Sequence, residues 1–429
     1  MTPVGSAGDV HPFIGIGRRL QERGHEVIVI TNGRFRKLVC RNGLGYLEHG
    51  TADEFEHLLE DRNLWHPRRG LGIILQMVGQ TMRDLYDLIE EVYEPGHSIL
   101  VGHTLAFGTR MYQEKHHAPG VTIHLAPCVF RSDFQQPALL PGRDLSGAPR
   151  WAKRTAWWVL DRGLIDPHLV PELNGWRRDL GLPRIRRPFR DWIHSPCRTI
   201  GLFPPWFGPP QSDWPQSLRL TGFALFDDAR DETLRPELEA FFKRSDPPIA
   251  WTAGSANRHA AAFFATASAA STHLGRPALF FTRYPQQLPP TLGPAQRHVS
   301  YAPFSQVLPR CAAVVHHGGI GTCAQGLAAG IPHLVMPMGF DQHDNAMRLG
   351  RLGVGTWLTP HRFRPPNVAA ALRSLLEDAQ VKEACRLRAG QVDRDRALGP
   401  TCDLIEQAAS WPDASPVEGP EARSLVEQG

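Results

Sequence analysis

The sequence contains no apolar run long enough to cross a membrane, and it does not open with the basic and apolar segments of a signal peptide. Its seven cysteines include no Cys-x-x-Cys pair, which predicts reduced thiols in a reducing compartment and therefore a cytoplasmic protein. The formal net charge of +4 is too small to indicate a nucleic-acid partner. No internal repeat is present, which argues against solenoids and propellers. What remains is a globular protein whose 429 residues suffice for two domains.

Short apolar strands alternate with helical segments in both halves of the chain. Three predicted strands, 25–32, 98–104 and 120–126, lie in the first half, and the alternation resumes after a segment rich in proline. This pattern predicts an α/β protein with two doubly wound, Rossmann-like domains that face each other across a cleft. The predicted parts are an N-terminal domain 1–205, a Pro-rich linker 206–228, a C-terminal domain 229–395, a helix 396–411 that returns to the first domain, and a disordered tail 412–429.

The chain opens on a loop from Gly5 to Pro12 that carries an acid, Asp9, and a histidine, His11. Pro12 and the apolar positions after it predict a helix that begins at the end of this loop. Because only Met1–Val4 precede the loop, the first strand is predicted to be truncated. We therefore expect an amino-terminally extended protein to be more stable and more active than this one.

A second glycine-rich loop follows an apolar strand within the segment 314–346. His317 leads into a run of glycines that includes Gly319 and Gly321, and a helix starts at Thr322. Glycines let backbone N–H groups approach an anion closely, and a helix N-terminus adds partial positive charge. The segment predicts a phosphate site, with a tight strand–helix turn as the structural alternative.

The same glycines also fit a dinucleotide-binding fingerprint that runs from Gly319 to Ala324, with Asp341 at the distance of a ribose-binding acid. This alternative predicts an NAD-dependent oxidoreductase. Three features count against it: the adjacent histidines, the three predicted strands that precede the fingerprint in its domain, and the polar residues that follow Asp341. A sugar with several hydroxyls requires such a polar cluster, whereas a ribose does not.

The segment resembles the donor-binding signature of the large family of inverting nucleotide-sugar glycosyltransferases with the two-domain GT-B fold. The family's His-x-Gly-Gly loop, Gly-x-Pro turn and Asp-Gln pair are present at 317–319, 330–332 and 341–342. The opening segment 5–13 resembles the same family's amino-terminal loop, so the resemblance covers roughly residues 1–400. It implies a transferase of a glucose-type or rhamnose-type hexose that uses a UDP- or dTDP-sugar as co-substrate, with no cofactor and no metal.

The resemblance also implies a donor site in the second half of the chain. By position in the motifs, the residues that would bind the diphosphate are Gly254, Ser255, His317, Gly319, Gly321 and Thr322. Tyr301 and Ala302 would contact the nucleobase, Gln325 would bind the ribose, and Asp341 and Gln342 would bind the sugar hydroxyls. Three of these residues have a structural alternative. Tyr301 would be a core aromatic, Gln325 a solvated helix residue and Asp341 a helix N-cap.

Inverting sugar transfer requires a base for the acceptor hydroxyl. The position of the family's catalytic base corresponds to Asp9 in this sequence. The glycopeptide and sterol branches also have an aspartate at this position, whereas many members have a histidine. The position of the aspartate that orients such a histidine falls on His103. The resemblance therefore implies a swapped pair, with Asp9 as the base and His103 as its partner. His11 remains an alternative base. The alternative for His103 is a purely structural role, as a histidine that is hydrogen-bonded at the end of a strand.

The segment 191–227 most resembles bacterial rhamnosyltransferases that build rhamnolipids. The tryptophans and leucines of the region 60–200, with a predicted helix over 70–92, favour a small apolar or lipid acceptor, and a core role is the alternative. Arginines in 149–158 and 184–192 predict peripheral contact with an anionic membrane, or else a solvated face. A non-catalytic sugar-nucleotide sensor is a further alternative function.

Overall fold

The computed structural model describes residues 1–66, 69–138, 147–227, 234–244, 246–393 and 397–410. The predicted disordered tail, 412–429, lies outside these residues. The strands are β1 Ile28–Thr31, β2 Gly45–Glu48, β3 Leu100–His103, β4 Gly120–His124, β5 Arg198–Gly201, β6 Leu218–Leu220, β7 Ile249–Thr252, β8 Ala278–Phe281, β9 Gln296–Val299, β10 Ala313–His316, β11 His333–Val335 and β12 Gly355–Trp357.

The α-helices are α1 Ala7–Glu22, α2 Arg36–Arg41, α3 Ala52–Glu60, α4 Gly70–Val92, α5 Phe107–His116, α6 Arg150–Leu160, α7 Asp166–Asp179, α8 Pro236–Arg244, α9 Ala261–Leu274, α10 Phe304–Val307, α11 Ile320–Ala329, α12 Gln342–Arg351, α13 Pro365–Glu377, α14 Ala379–Ala389 and α15 Leu398–Ala408. Among the described helices, none is both long enough and apolar enough to span a membrane.

The first sheet places the opening loop at a point where the strand order reverses. Its parallel strands form two groups, β2-β1 and β3-β4-β5-β6, and Met1 and Thr2 lie between them. The Ile30 N–H donates to the Met1 carbonyl at 2.8 Å, and the Thr2 N–H donates to the Val101 carbonyl at 2.9 Å. The ladder hydrogen bonds that a truncated first strand was expected to lack are therefore present on both sides of this short segment.

The second sheet has the parallel order β9-β8-β7-β10-β11-β12, so its strand order reverses between β7 and β10. These two strands are in register, with Thr252 opposite His316 at their carboxyl ends. Doubly wound sheets bind ligands at such a switch point, just beyond the carboxyl ends of the strands. The topology alone therefore brings the loop after Thr252 and the glycine loop after His316 together.

Helix α1 begins at Ala7, earlier than the sequence predicted, so Asp9 lies in a first helical turn rather than in a loop. Pro12, predicted in the first turn, lies inside this helix. The early start has a local cause, because the Asp9 carboxylate accepts hydrogen bonds from Ser6 and so fixes the helix N-terminus upstream of the proline.

The Pro-rich segment differs from the linker predicted at 206–228, because it contains β6, which extends the first sheet beside β5. Phe207, Trp214 and Phe223 from this segment are buried in one cluster with Cys323 and Leu349 from the second half of the chain. Proline disfavours regular structure but not burial, and the aromatic rings supply the apolar area. The segment is thus a packed connection between the two sheets.

Helix α15 packs on α1 and returns the end of the chain to the first sheet. Cys402 and Ile405 share a hydrophobic cluster with Phe13 of α1. At its exposed edge the Arg23 guanidinium lies 2.7 Å from the Asp403 carboxylate. This helix therefore buttresses α1, which carries Asp9.

Candidate active site

A cleft of about 730 Å³ lies between the carboxyl ends of the two sheets. One wall contains the opening loop, α1 and parts of α3 and α4, and the facing wall contains the loops after β7 and β10 with the start of α11. Every predicted site residue lines this cleft except His103, which lies behind Asp9. The predicted residues, scattered from position 9 to position 342, therefore meet in one place.

Asp9 is held rigidly on the first wall. Its Oδ2 accepts the Ser6 N–H at 2.7 Å and the Ser6 hydroxyl at 3.0 Å. Gly5 has a φ of 135°, and a Cβ at this position would overlap the Asp9 carboxylate. Glycine is therefore required for this close approach. Both hydrogen bonds from Ser6 go to Oδ2, so Ser6 does not engage the other carboxylate oxygen, Oδ1.

His103, at the end of β3, lies near this oxygen. Its Nε2 lies 3.8 Å from Asp9 Oδ1, which is an electrostatic contact rather than a hydrogen bond. The Leu105 N–H points at its Nδ1 at 3.4 Å, which assigns the ring proton to Nε2 on the Asp9 side. Burial lowers the pKa of His103, and the charge of Asp9 offsets this only in part. The imidazole is thus a neutral donor directed at Asp9.

His11, the alternative base, lines the cleft but is tied to the connection between the sheets. Its ring lies edge-on to Phe226, with the centroids 6.0 Å apart. Burial lowers its pKa to about 4, although a hydrogen bond to the Phe226 backbone acts in the opposite direction. This arrangement gives His11 a packing contact, whereas Asp9 has an oxygen free of Ser6.

His317 is clamped between two glycines on the second wall. A Cβ would lie 2.7 Å from its ring at Gly254 and 2.5 Å from its Nε2 at Gly319. Gly254 also has a φ of +91°, a conformation that glycine favours. Burial lowers the pKa of His317 to about 4, so the ring is neutral at pH 7. Its buried Nδ1 has no hydrogen-bond partner among the described residues.

Helix α11 begins beside His317 and points its N-terminus into the cleft. Gly319 is its N-cap and supplies no side chain. The N–H groups of Gly321 and Thr322, in the first turn, have no carbonyl partner within the helix. A Cβ on Gly321 would lie 3.5 Å from the Cα of Gly8, so α11 and α1 begin opposite one another. This corner of the cleft combines N–H groups, a helix dipole and an imidazole, which suits an anion.

The neighbouring His316, in contrast, is part of the scaffold. It is fully buried, its Nδ1 accepts the Gly318 N–H at 3.1 Å, and its Nε2 lies 3.0 Å from His333 Nδ1. The adjacent histidines therefore have separate tasks. His316 fixes the conformation of the glycine loop, and His317 faces the cleft.

Asp341 lies on the second wall close to Asp9. Its Oδ2 accepts the side-chain N–H of Asn345 at 2.7 Å, and its carboxylate also interacts with the Ile320 N–H at the start of α11. Removal from water raises its pKa to about 7, and the charge of Asp9 contributes to this shift. Asp341 occupies the N-cap position of α12, but its side chain makes no capping hydrogen bond there, and it lines the cleft.

Gln342 lines the same corner, but its amide oxygen is already in use. Oε1 accepts the N–H groups of Met338 at 2.9 Å and Gly339 at 3.3 Å. These hydrogen bonds leave the Nε2 group as the end of the Gln342 side chain that Met338 and Gly339 do not engage. The sequence could not assign this division, because it depends on the turn at 338–341.

The residues predicted for the nucleoside lie farther along the second wall. Tyr301 lines the cleft, and its hydroxyl donates to the Asp227 carbonyl at 2.6 Å. Ala302 and Gln325 also line the cleft, and both are buried. The burial of Gln325 contradicts its alternative as a solvated helix residue. Ser255 lines the cleft beside Gly254, and its carbonyl accepts from Arg34 at 3.4 Å.

Several residues that shape this cleft carry no local sequence signal. The Asp227 carboxylate accepts the Ser305 N–H at 2.6 Å and so fixes the loop that carries Tyr301. Trp65 packs edge-on against Phe340, with ring centroids 5.6 Å apart, and joins the two walls near Asp341. These contacts join segments more than 70 residues apart, so only the tertiary structure reveals them.

Side chains of α3 and α4 form part of the apolar lining of the cleft. They include Phe55, Leu58, Ile74 and Met77. Within the described part of the chain, no group of three or more His, Cys, Asp or Glu residues could hold a metal ion. All seven cysteines are free thiols.

Family models match both halves of the chain. Residues 1–122 match the glycosyltransferase family 28 N-terminal domain, and residues 285–404 match the C-terminal domain of the erythromycin biosynthesis protein CIII-like family. The chain is 30% identical over 428 residues to O-mycaminosyltylonolide 6-deoxyallosyltransferase of Streptomyces fradiae, with 95% of this chain and 96% of that protein covered.

Solved structures share the fold along nearly the whole chain. The glycotransferase of kitacinnamycin superposes with a TM-score of 0.72 at 20% identity, with 95% of this chain and 98% of that chain covered. The glycosyltransferase VinC in complex with dTDP gives a TM-score of 0.64 at 18% identity, with 95% and 98% covered.

These similarities show that the oxidoreductase alternative is wrong. The glycines of the dinucleotide fingerprint follow β10, which is the fourth strand of the second sheet in chain order, whereas such a fingerprint normally follows the first strand. The chain belongs to the macrolide-type glycosyltransferases with the GT-B fold, and it is an enzyme that uses nucleotide-sugar donors.

Proposed function

We propose that the protein transfers a glucose-type or rhamnose-type hexose, with inversion at the anomeric carbon, from a UDP- or dTDP-sugar to a hydroxyl of a small apolar or lipidic acceptor. The observation that carries this proposal is the opposition of Asp9 to the glycine loop. Asp9 Oδ1 stands on one wall of the cleft, and the start of α11 with His317 stands on the other.

The donor would lie along the second wall. Its diphosphate would accept hydrogen bonds from the N–H groups of Gly319, Gly321 and Thr322, from His317 Nδ1, and from the loop at Gly254 and Ser255. Tyr301 and Ala302 would contact the base, and Gln325 would contact the ribose. The carboxylate of Asp341 and the Nε2 group of Gln342 would bind the sugar hydroxyls, which places the anomeric carbon towards Asp9.

The reaction is then a single displacement. Asp9 accepts the proton of the acceptor hydroxyl, and the acceptor oxygen forms its bond to the anomeric carbon on the face opposite the diphosphate. The bond from that carbon to the diphosphate oxygen breaks, and the electron pair leaves with the diphosphate. The dipole of α11 and the imidazole N–H stabilise the charge that develops there. His103 donates towards Asp9 from behind and positions the carboxylate.

The apolar side chains of α3 and α4 support the choice of an apolar acceptor, because they line the same cleft as Asp9. The chain's relatives point to a class of donor rather than to one sugar. The Streptomyces relative is named for a 6-deoxyallosyl group, and one structural neighbour is named a spinosyn rhamnosyltransferase.

We also propose a cytoplasmic location, because every cysteine is a free thiol.

A donor panel tests this function. Thermal shifts with UDP, dTDP, their hexose derivatives and NAD come first, followed by transfer to hydroxy fatty acids and macrolide aglycones. We expect stabilisation by one nucleotide and its sugar, and a product whose anomeric configuration by NMR is opposite to that of the donor. Retention of configuration would contradict the mechanism, and binding without hydrolysis or transfer to any acceptor would favour the sensor.

A further inference from the structure

The outer face of α6 exposes an unusual amount of aromatic surface. Trp151, Trp158 and Val159 expose 71%, 58% and 55% of their surface, whereas Trp157 on the opposite side is buried. Their spacing of seven and eight residues places them on one face of the helix. Phe134, 42% exposed, lies beside the same helix. Contiguous exposed apolar surface of this kind marks an interaction site.

Strong contacts on the inner face hold this arrangement in place. The Arg131 guanidinium lies 4.7 Å from the centroid of the Trp157 ring and 2.5 Å from Asp161. The Lys153 ammonium donates to the Phe134 carbonyl at 2.6 Å. Because α6 is anchored from within, the outward direction of Trp151 and Trp158 is a fixed property of the fold and not a consequence of a loose helix.

Exposed arginines surround the aromatic face. Arg150, Arg154 and Arg162 are exposed, and the Arg150 guanidinium lies 4.2 Å from the centroid of the Phe134 ring. Arg154 forms an ion pair with Asp133 at 2.8 Å, so its charge is partly compensated within the protein. Burial raises the pKa of the nearby Asp166, while the charges of Arg162 and Arg187 act to lower it. Arg162 and Arg187, the latter from the arginine-rich segment 184–192, are therefore close to Asp166.

We propose that the α6 surface, formed by Trp151, Trp158 and Val159 with Arg150, Arg154 and Arg162, docks on the headgroups of an anionic lipid bilayer. Tryptophan combines apolar area with a polar N–H and favours the membrane interface, and each arginine near an anionic surface adds attraction. A second copy of the chain fits less well, because self-association of this face would bring its arginines together.

Docking would also deliver the acceptor that the proposed function requires, and in this respect the inference rests on that function. A π-helical segment, Asp161–Ile165, continues α6 into α7, and both the segment and α7 pack against α4. Helix α4 carries Ile74 and Met77 of the apolar cleft wall. An apolar acceptor in the bilayer would thus be near the wall that receives it.

Flotation of the full-length protein with vesicles tests the proposal. We expect flotation with phosphatidylcholine mixed with phosphatidylglycerol, little with phosphatidylcholine alone, and loss at high salt. Replacing Trp151 and Trp158 by Ser should weaken vesicle binding about tenfold or more. The triple variant R150Q/R154Q/R162Q should weaken it roughly thirtyfold, because the charge of Arg154 is already compensated by Asp133.

Matched controls come from the other half of the chain. Leu387→Ser removes another exposed apolar side chain, 54% exposed on α14, and the triple variant R362Q/R373Q/R386Q removes the same charge from exposed positions. Both should float like the wild type, and circular dichroism should show every variant folded.

Three outcomes would overturn the docking proposal. The first is equal flotation on phosphatidylcholine alone, and the second is unchanged flotation of the tryptophan variant. The third is a wild-type protein that does not float but forms a dimer, which the tryptophan substitutions convert to a monomer. Donor hydrolysis without vesicles separates the two ideas. If both hydrolysis and transfer to every acceptor tested are absent and flotation persists, the proposed function fails while the docking surface stands.

Discussion

Two helices begin opposite each other in the cleft, and their first turns are built in opposite ways. Helix α1 has an acid in its first turn, and this acid, Asp9, accepts hydrogen bonds from the N-cap residue Ser6. Helix α11 has a glycine N-cap and no acid in its first turn. Each helix follows the switch point of its own sheet.

The difference shows how one topological position serves two purposes. On the first wall the negative charge at the helix N-terminus belongs to the protein, and one carboxylate oxygen is available as a base. On the second wall the first turn of α11 contains no acid, and the nearby Asp341 carboxylate, at the N-cap of α12, interacts with the Ile320 N–H alone in that turn. The N–H groups of Gly321 and Thr322 and the neutral imidazole of His317 are therefore left for a negatively charged ligand. The residues of the first turn, rather than the fold, decide which role each helix takes.

The largest effect is expected from removing the charge on the first wall. Asp9→Asn keeps a hydrogen-bond acceptor for Ser6 but removes the base, so kcat should fall by about 10²–10⁴-fold. Donor affinity, measured by calorimetry, should stay within a few-fold. Asp378→Asn is the matched control, since Asp378 lies outside the cleft and caps α14 by accepting the Gln380 N–H at 2.7 Å. It should keep its activity, and a fully active Asp9→Asn enzyme would refute the assignment of the base.

A smaller effect is expected from crowding the second wall. Gly254→Ala places a Cβ 2.7 Å from the His317 ring at a φ of +91°, so it should displace the ring and weaken nucleotide binding about tenfold or more. Gly275→Ala carries a similar backbone cost at a φ of +63°, with open space around the new Cβ. Both variants should lose about 1–2 kcal/mol of stability. Equal nucleotide affinity in the two variants would show that His317 has no part in binding.

Asp341 gives a smaller, pH-dependent effect. Its pKa is raised from 3.8 to about 7 in the folded protein, so its ionisation costs stability as pH rises through that window. Asp341→Asn should therefore stabilise the unliganded protein at pH 8, by on the order of 1–3 kcal/mol, and give no gain below pH 4.

The neighbouring acid provides the contrast for this prediction. Asp344 forms a buried pair with Arg348 at 2.6 Å, so Asp344→Asn should destabilise the protein at pH 8 by about 3–5 kcal/mol. Chemical denaturation of both variants at pH 4 and pH 8 measures the two effects. If Asp341→Asn destabilises the protein at pH 8, the folded protein favours the ionised carboxylate of Asp341, and the prediction is wrong.

Local patterns predicted much of the fold and the lining of the cleft, because strand–turn–helix signals lie within a few residues of each other. The helix predicted over 70–92 coincides with α4, and the glycine loop after His317 opens α11. The start of α1 was placed too late because the sequence rule for proline ignores the hydrogen bonds between Ser6 and Asp9.

Features that depend on distant segments could not be read from the sequence. The proline-rich segment contains β6 and buries Trp214 against residues of the second half, and no local rule gives that packing. The exposed face of α6 has the same origin. Trp151 and Trp157 have similar sequence surroundings, and only the position of Arg131 shows which one faces inwards.

A crystal structure of the protein with dTDP or UDP would test the central claim most directly. The account predicts the diphosphate at the start of α11, with its oxygens within hydrogen-bond distance of the N–H groups of Gly321 and Thr322 and of His317 Nδ1, and with Asp9 on the opposite wall. A diphosphate bound at the start of α1, or one that leaves His317 Nδ1 without a partner, would contradict it.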